Sequence, residues 1–105
     1  MVDHELDELR REFLLEAEEK VREMETFVTG EPAPEHLDRL AYLAHQLKGS
    51  GGSYGYQEIS TDAAEVEKAV ETLVQGSVDG LDAKIRQHVV NLRTEIERGL
   101  AALAV

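Results

Sequence analysis

The chain has 105 residues, enough for one modest core and too few for two. It carries 22 acidic against 11 basic residues, a formal net charge of −11, and so acidic a surface repels nucleic acid and anionic lipid, so neither is expected as a partner. The absence of cysteine removes disulfide frameworks and thiolate metal sites; with no apolar run near the ~20 residues of a membrane span and no basic-then-apolar start, a cytoplasmic protein is expected.

Apolar residues at Leu6, Leu9, Phe13, Ala17, Val21, Met24 and Phe27 or Val28 step by threes and fours, which predicts a first amphipathic helix over residues 4–28. Its charged face offers Glu16 and Lys20 as an i, i+4 pair. Gly30 suits a C-terminal cap, while Pro32 and Pro34 cannot continue that helix but suit the start of the next. Helix two is expected over 34–54, with Leu37, Leu40, Leu43, Ala44, Leu47, Gly51 and Tyr54 on its inner stripe and Gly55 as its stop. A third helix, 57–75, carries Ile59, Ala63, Val66, Val70 and Leu73 on one face and ends at Gln75-Gly76-Ser77. Asp79 can cap a fourth helix, 79–103, whose stripe runs through Leu81, Ile85, Val89, Leu92, Ile96, Leu100 and Leu103, with Arg86, Arg93 and Arg98 outside. No alternating β-branched run marks a strand. Four amphipathic helices with short connections predict an all-α, antiparallel four-helix bundle, one domain over 1–105.

The unusual stretch is His45-Gln46-Leu47-Lys48-Gly49-Ser50-Gly51-Gly52. A glycine inside a helix costs about 1 kcal/mol relative to alanine, so a helix running through Gly49, Gly51 and Gly52 gives up roughly 3 kcal/mol. On the helical wheel Gly51 falls on the buried stripe, whereas His45 lies about 100° from Ala44 and off it. The neighbours of His45 on its own face are Ala41, Tyr42, Lys48, Gly49 and Gly52. Gly49 and Gly52 therefore clear space beside an outward imidazole, and Lys48 offers a cation to offset an anion on the ring. An exposed imidazole is largely neutral and nucleophilic near neutral pH, which suits acceptance of a phosphoryl group.

His45-Gln46-Leu47-Lys48-Gly49-Ser50, followed by Gly55, resembles the H-x-L-K-G-S signature of histidine-containing phosphotransfer (HPt) domains. Tyr54-Gly55-Tyr56 is similar to the aromatic-Gly-aromatic that follows the histidine in the phosphotransfer domain of chemotaxis kinases. Val66-Glu67 on the third helix is similar to the Leu-Glu common there in the family. The resemblance covers most of the chain and implies a four-helix bundle with the histidine midway along the second helix. It further implies that His45 takes a phosphoryl group, on Nε2, from a receiver-domain aspartyl phosphate or a histidine kinase and passes it to another receiver. Lys48 would stabilise that group, with Gln46 and Ser50 in its surroundings. Gly49 and Gly52, with Tyr42 and Ala41, would give the partner access. No cofactor is expected on this chain: Mg²⁺ and the catalytic acids would come from the receiver, which makes the chain a carrier, expected to be monomeric, and no enzyme.

Some residues depart from the family pattern. Gly51 and Gly52 stand where many members carry Ser or Ala, and no further lysine or arginine flanks Lys48 on this face, which predicts a weakly cationic phosphate environment. No carboxylate that orients Nδ1 of His45 is identifiable from sequence; Asp38 shares the face two turns away, and a residue of helix one or three could serve instead. Of the other histidines, His4 falls in a terminus expected to fray, His36 in a solvated first turn, and His88 at a core boundary.

The sequence admits three rival readings. A di-iron bundle needs Glu-x-x-His pairs, and none occurs, so no metal is expected. A Walker loop needs its lysine after the glycines, whereas Lys48 precedes them. A docking bundle that binds a receiver or kinase without being phosphorylated is the alternative left open. The start at Met1 and the end in Gly99-Leu100-Ala101-Ala102-Leu103-Ala104-Val105 favour a free-standing protein.

Overall fold

A computed structural model describes residues 2–29, 33–76 and 79–104. It contains four helices: α1, Val2–Phe27; α2, Pro34–Ser53; α3, Gln57–Gln75; and α4, Leu81–Leu103. Each packs on two others, α1 on α2, α2 on α3, α3 on α4 and α4 back on α1, while the backbones of diagonal helices stay apart and the core fills the space between all four. The all-α bundle expected from the sequence is the observed fold, and no strand occurs among the described residues.

The core follows the apolar periodicity. Leu14, Ala17, Val21 and Met24 from α1 meet Leu40, Leu43, Ala44 and Leu47 from α2, with Ile59, Ala63, Val66 and Val70 from α3 and Ile85, Val89, Leu92 and Ile96 closing it from α4. Leu14 is fully buried although the expected stripe passed over it; it lies three residues before Ala17 and seven before Val21, on the same face. Leu6 and Leu9, expected on that stripe, are exposed instead. Arg11 already donates to the carbonyl of Leu103 at 2.7 Å, so the first turns of α1 reach past the last turn of α4.

A carboxylate crosses each of the four seams between neighbouring helices. Glu23 of α1 accepts two hydrogen bonds from Arg39 of α2, at 2.6 and 3.0 Å. Glu67 of α3 receives His45 and Lys48 of α2. Asp62 of α3 receives His88 and Asn91 of α4. Glu25 of α1 pairs with Arg93 of α4 in two parallel bonds, which corrects the expectation that Arg93 points outward. Arg–carboxylate forks and shared acceptors of this kind fix how far one helix slides along the next.

Helix boundaries differ modestly from expectation. α1 ends at Phe27, and the Gly30 cap, Pro32 and Ser77 lie outside the described residues. α2 stays helical through all three glycines to Ser53, and Gly55, at φ +86°, turns the chain into α3. α4 starts at Leu81, not at 79: Gly80 is its N-cap at φ +89°, and Asp79 makes no capping bond because this left-handed residue stands between it and the helix. The first bond of α4 runs from the Lys84 amide to the Gly80 carbonyl, 3.0 Å.

Candidate functional site

The glycines of α2 have separable jobs. A Cβ on Gly51 would come within 3.2 Å of the Ser60 amide nitrogen and 3.3 Å of Ile59 Cγ2, so this glycine lets α2 lie against the start of α3. The Tyr56 amide donates to the Gly51 carbonyl at 2.8 Å, and Ser60 Oγ donates to the Lys48 carbonyl at the same distance, which ties that junction down. A Cβ on Gly52 would only touch Ser60 Oγ at 3.7 Å, and one on Gly49 would meet nothing within 4 Å. Gly49 and Gly52 are thus open surface, as the wheel predicts. Tyr54 and Tyr56 close this end of the bundle by stacking with Phe13, with centroids 5.1 and 5.8 Å away.

His45 follows buried Ala44 and keeps 67% of its side chain exposed. Across the seam, Glu67 follows buried Val66 and is only 16% exposed. Its Oε2 lies 2.9 Å from Nδ1 of His45, and its Oε1 accepts from Nζ of Lys48 at 2.7 Å. Burial alone would raise the Glu67 carboxyl, but the hydrogen bonds from Lys48 and His45 outweigh it and hold the group below its ordinary value. Glu67 is therefore an acceptor only, and Nδ1 must carry the proton. In the neutral ring that tautomer puts the lone pair on Nε2, at the far side of an exposed ring.

Beside the ring is an open hollow of about 580 Å³ lined by Lys20, His45, Gln46, Gly49, Ser50, Ser53 and Tyr54. It gathers Gln46, Ser50 and Gly49, while Lys48 is turned away to Glu67. Gln46 donates to the Tyr42 hydroxyl at 2.8 Å, and the half-exposed Tyr42 ring lies under the Arg39 guanidinium, 5.3 Å from its centroid. Ala41 is partly buried against the core, which leaves Tyr42 as the more accessible of the two.

Two features were missed from sequence. Glu67 orients His45, from helix three, one of the two helices left open for that role beside Asp38; the Val66-Glu67 pair carried the signal, but its contact spans 22 positions and two helices. Lys20 of α1 lines the same hollow as His45, a cation on a neighbouring helix that the wheel of helix two does not report. The Glu16–Lys20 pair is not among the ion pairs of the described residues. His36 is half-buried and stacks on Phe27 at 4.8 Å, so it is not the solvated residue expected. His88 is held by Asp62 at 2.7 Å in the α3–α4 seam.

Among the described residues no group of three or more histidine, aspartate or glutamate side chains is placed to hold a metal ion, and no helix is long and apolar enough to cross a membrane. A family model described as the Hpt domain matches residues 8–104. No curated protein and no solved structure matches the chain.

Proposed function

The chain belongs to the Hpt domain family, the histidine phosphotransfer modules of phosphorelays, and from that premise we propose that His45 is its phosphoryl-carrying residue. The supporting observation is the contact of Glu67 with Nδ1, which selects the tautomer whose neutral form carries its lone pair on Nε2, on an exposed ring. In the proposed reaction the Nε2 lone pair attacks the phosphorus of a receiver's aspartyl phosphate. The Nε2–P bond forms as the P–O bond to the aspartyl group breaks, and that electron pair leaves on the carboxylate oxygen. The ring keeps its Nδ1 proton and becomes cationic, and the Glu67 carboxylate offsets that charge. Onward transfer is the reverse: a second receiver's carboxylate attacks phosphorus and the pair returns to Nε2.

The chain contributes a nucleophile and a docking surface, with Mg²⁺ and the acids that hold it on the receiver. Gly49 and Gly52 leave the ring open to that partner, and Gln46, fixed by Tyr42, presents a polar edge beside it. Lys48 acts on the ring through Glu67. The test is to incubate the protein with a phosphorylated receiver or an autophosphorylating kinase and follow acid-labile, base-stable label. Label on the wild type and none on His45→Gln is the expected result. Label that survives His45→Gln would sink the assignment, and no label with any of several cognate partners would leave the docking-module reading.

A further inference from the structure

A phosphoryl group on Nε2 adds close to two negative charges to a chain whose formal net charge is already −11. The nearest lysine in sequence, Lys48, has its ammonium 2.7 Å from Glu67, whose other oxygen holds the ring, so moving it to the phosphate would leave that buried-side carboxylate half-satisfied. The cation that lines the hollow with His45 is Lys20, on the adjacent helix. Buried Ala17, Val21 and Met24 fix the core face of α1, and Lys20 stands at its edge, toward α2. Glu16, Glu19 and Glu23 are all within one turn of it. Yet Lys20 is in none of the ion pairs found among the described residues: Glu19 is taken by Arg22 and Glu23 by Arg39, and Glu16, one turn before it, is in none of them either.

Building on the His45 reading, we propose that Lys20 of α1 is the cation that faces the phosphoryl group, so that the hollow between α1 and α2 is its berth. A long, unpaired ammonium across an open hollow reaches an anion on the ring without disturbing the Glu67 clamp. Division of labour follows: Glu67 and Lys48 set the ring, and Lys20 meets the charge it carries.

The test is phosphorylation with phosphoramidate, whose P–N bond breaks to release ammonia as the Nε2–P bond forms, followed by a pH titration of the ³¹P chemical shift. An ammonium near the group favours its dianion, so Lys20→Gln is expected to raise the titration midpoint by about half a pH unit, and Lys20→Arg to restore it. Lys84→Gln removes the same charge from α4, the helix diagonal to α2, and is expected to leave the midpoint alone. Circular dichroism checks that each variant is folded. An unchanged midpoint in Lys20→Gln, or an equal shift in Lys84→Gln, overturns the role of Lys20 while leaving His45 standing. A folded wild type that takes up no phosphoryl group overturns both.

Discussion

Glu67 Oε2 lies 2.9 Å from Nδ1 of His45, so the exposed ring on α2 is aimed from α3. Removing the carboxylate frees the ring to rotate and to place its proton on either nitrogen. Glu67→Ala is therefore expected to slow phosphoryl transfer to His45 by about ten- to a hundredfold, the equivalent of one charge-assisted hydrogen bond. Glu67→Gln, whose amide oxygen still accepts from Nδ1–H, should recover part of the rate. Single-turnover transfer from a phosphorylated receiver measures both; a full rate in Glu67→Ala would mean that the bond is incidental to reactivity.

Lys48 reaches the same carboxylate, at 2.7 Å, so its effect should pass through Glu67. Lys48→Ala is expected to slow transfer, and the double variant with Glu67→Ala to be little worse than Glu67→Ala alone, because the two act as one unit. Additive losses in the double-mutant cycle would show that Lys48 contacts the phosphoryl group directly. The sign with pH is also set. Glu67 titrates below its ordinary value, so the clamp's contribution is present above the normal carboxylate range and is lost as pH falls through the lowered one.

Gly51 and Gly49 sit two residues apart and should respond in opposite ways. In Gly51→Ala the new methyl would crowd the Ser60 backbone nitrogen at 3.2 Å, and backbone gives little, so a loss of about 1–3 kcal/mol is expected. Gly49→Ala meets open space and replaces a poor helix former, so a gain of up to about 1 kcal/mol is expected. Urea denaturation midpoints compare them. Gly49→Leu should keep the fold and weaken receiver binding; unaltered binding would contradict the clearance role.

What was legible in the sequence depended on the reach of the pattern. The helices and most of the core could be read because a period of 3.6 needs only neighbours along one helix, and that same wheel separated Gly51 from Gly49 and Gly52. Leu14 escaped because the stripe was traced through Phe13, one residue away on the same broad face. Glu67 and Lys20 reach His45 across seams, and no periodicity within a helix reports how two helices are set in register. Asp79 has the right chemistry for a cap, but the left-handed turn at Gly80 moved the helix start beyond it.

The seam between α3 and α4 carries the remaining testable chemistry. Asp62 accepts from His88 at 2.7 Å and Asn91 at 3.1 Å, and the Glu95 carboxyl stands within reach of a further hydrogen bond to it. Two carboxyl groups can share that bond only if one keeps a proton. Burial, then the bond to Asp62 and the charges of Asp62 and Glu58, push Glu95 up to about 8, with Arg98 opposing weakly. Its Oε1 is buried without a partner, which a neutral acid tolerates better than an ionised one. The folded protein thus holds a proton that the unfolded chain releases near the ordinary carboxylate value, and stability must fall as pH rises through that window to about 8 and then level off. Glu95→Gln keeps a donor toward Asp62 and cannot ionise. Its urea midpoint is expected to stay flat from about pH 6 to about pH 9 while that of the wild type declines, so the variant becomes the more stable protein on the alkaline side. Parallel profiles for the two proteins would show that Glu95 is ionised throughout and that the shared proton does not exist.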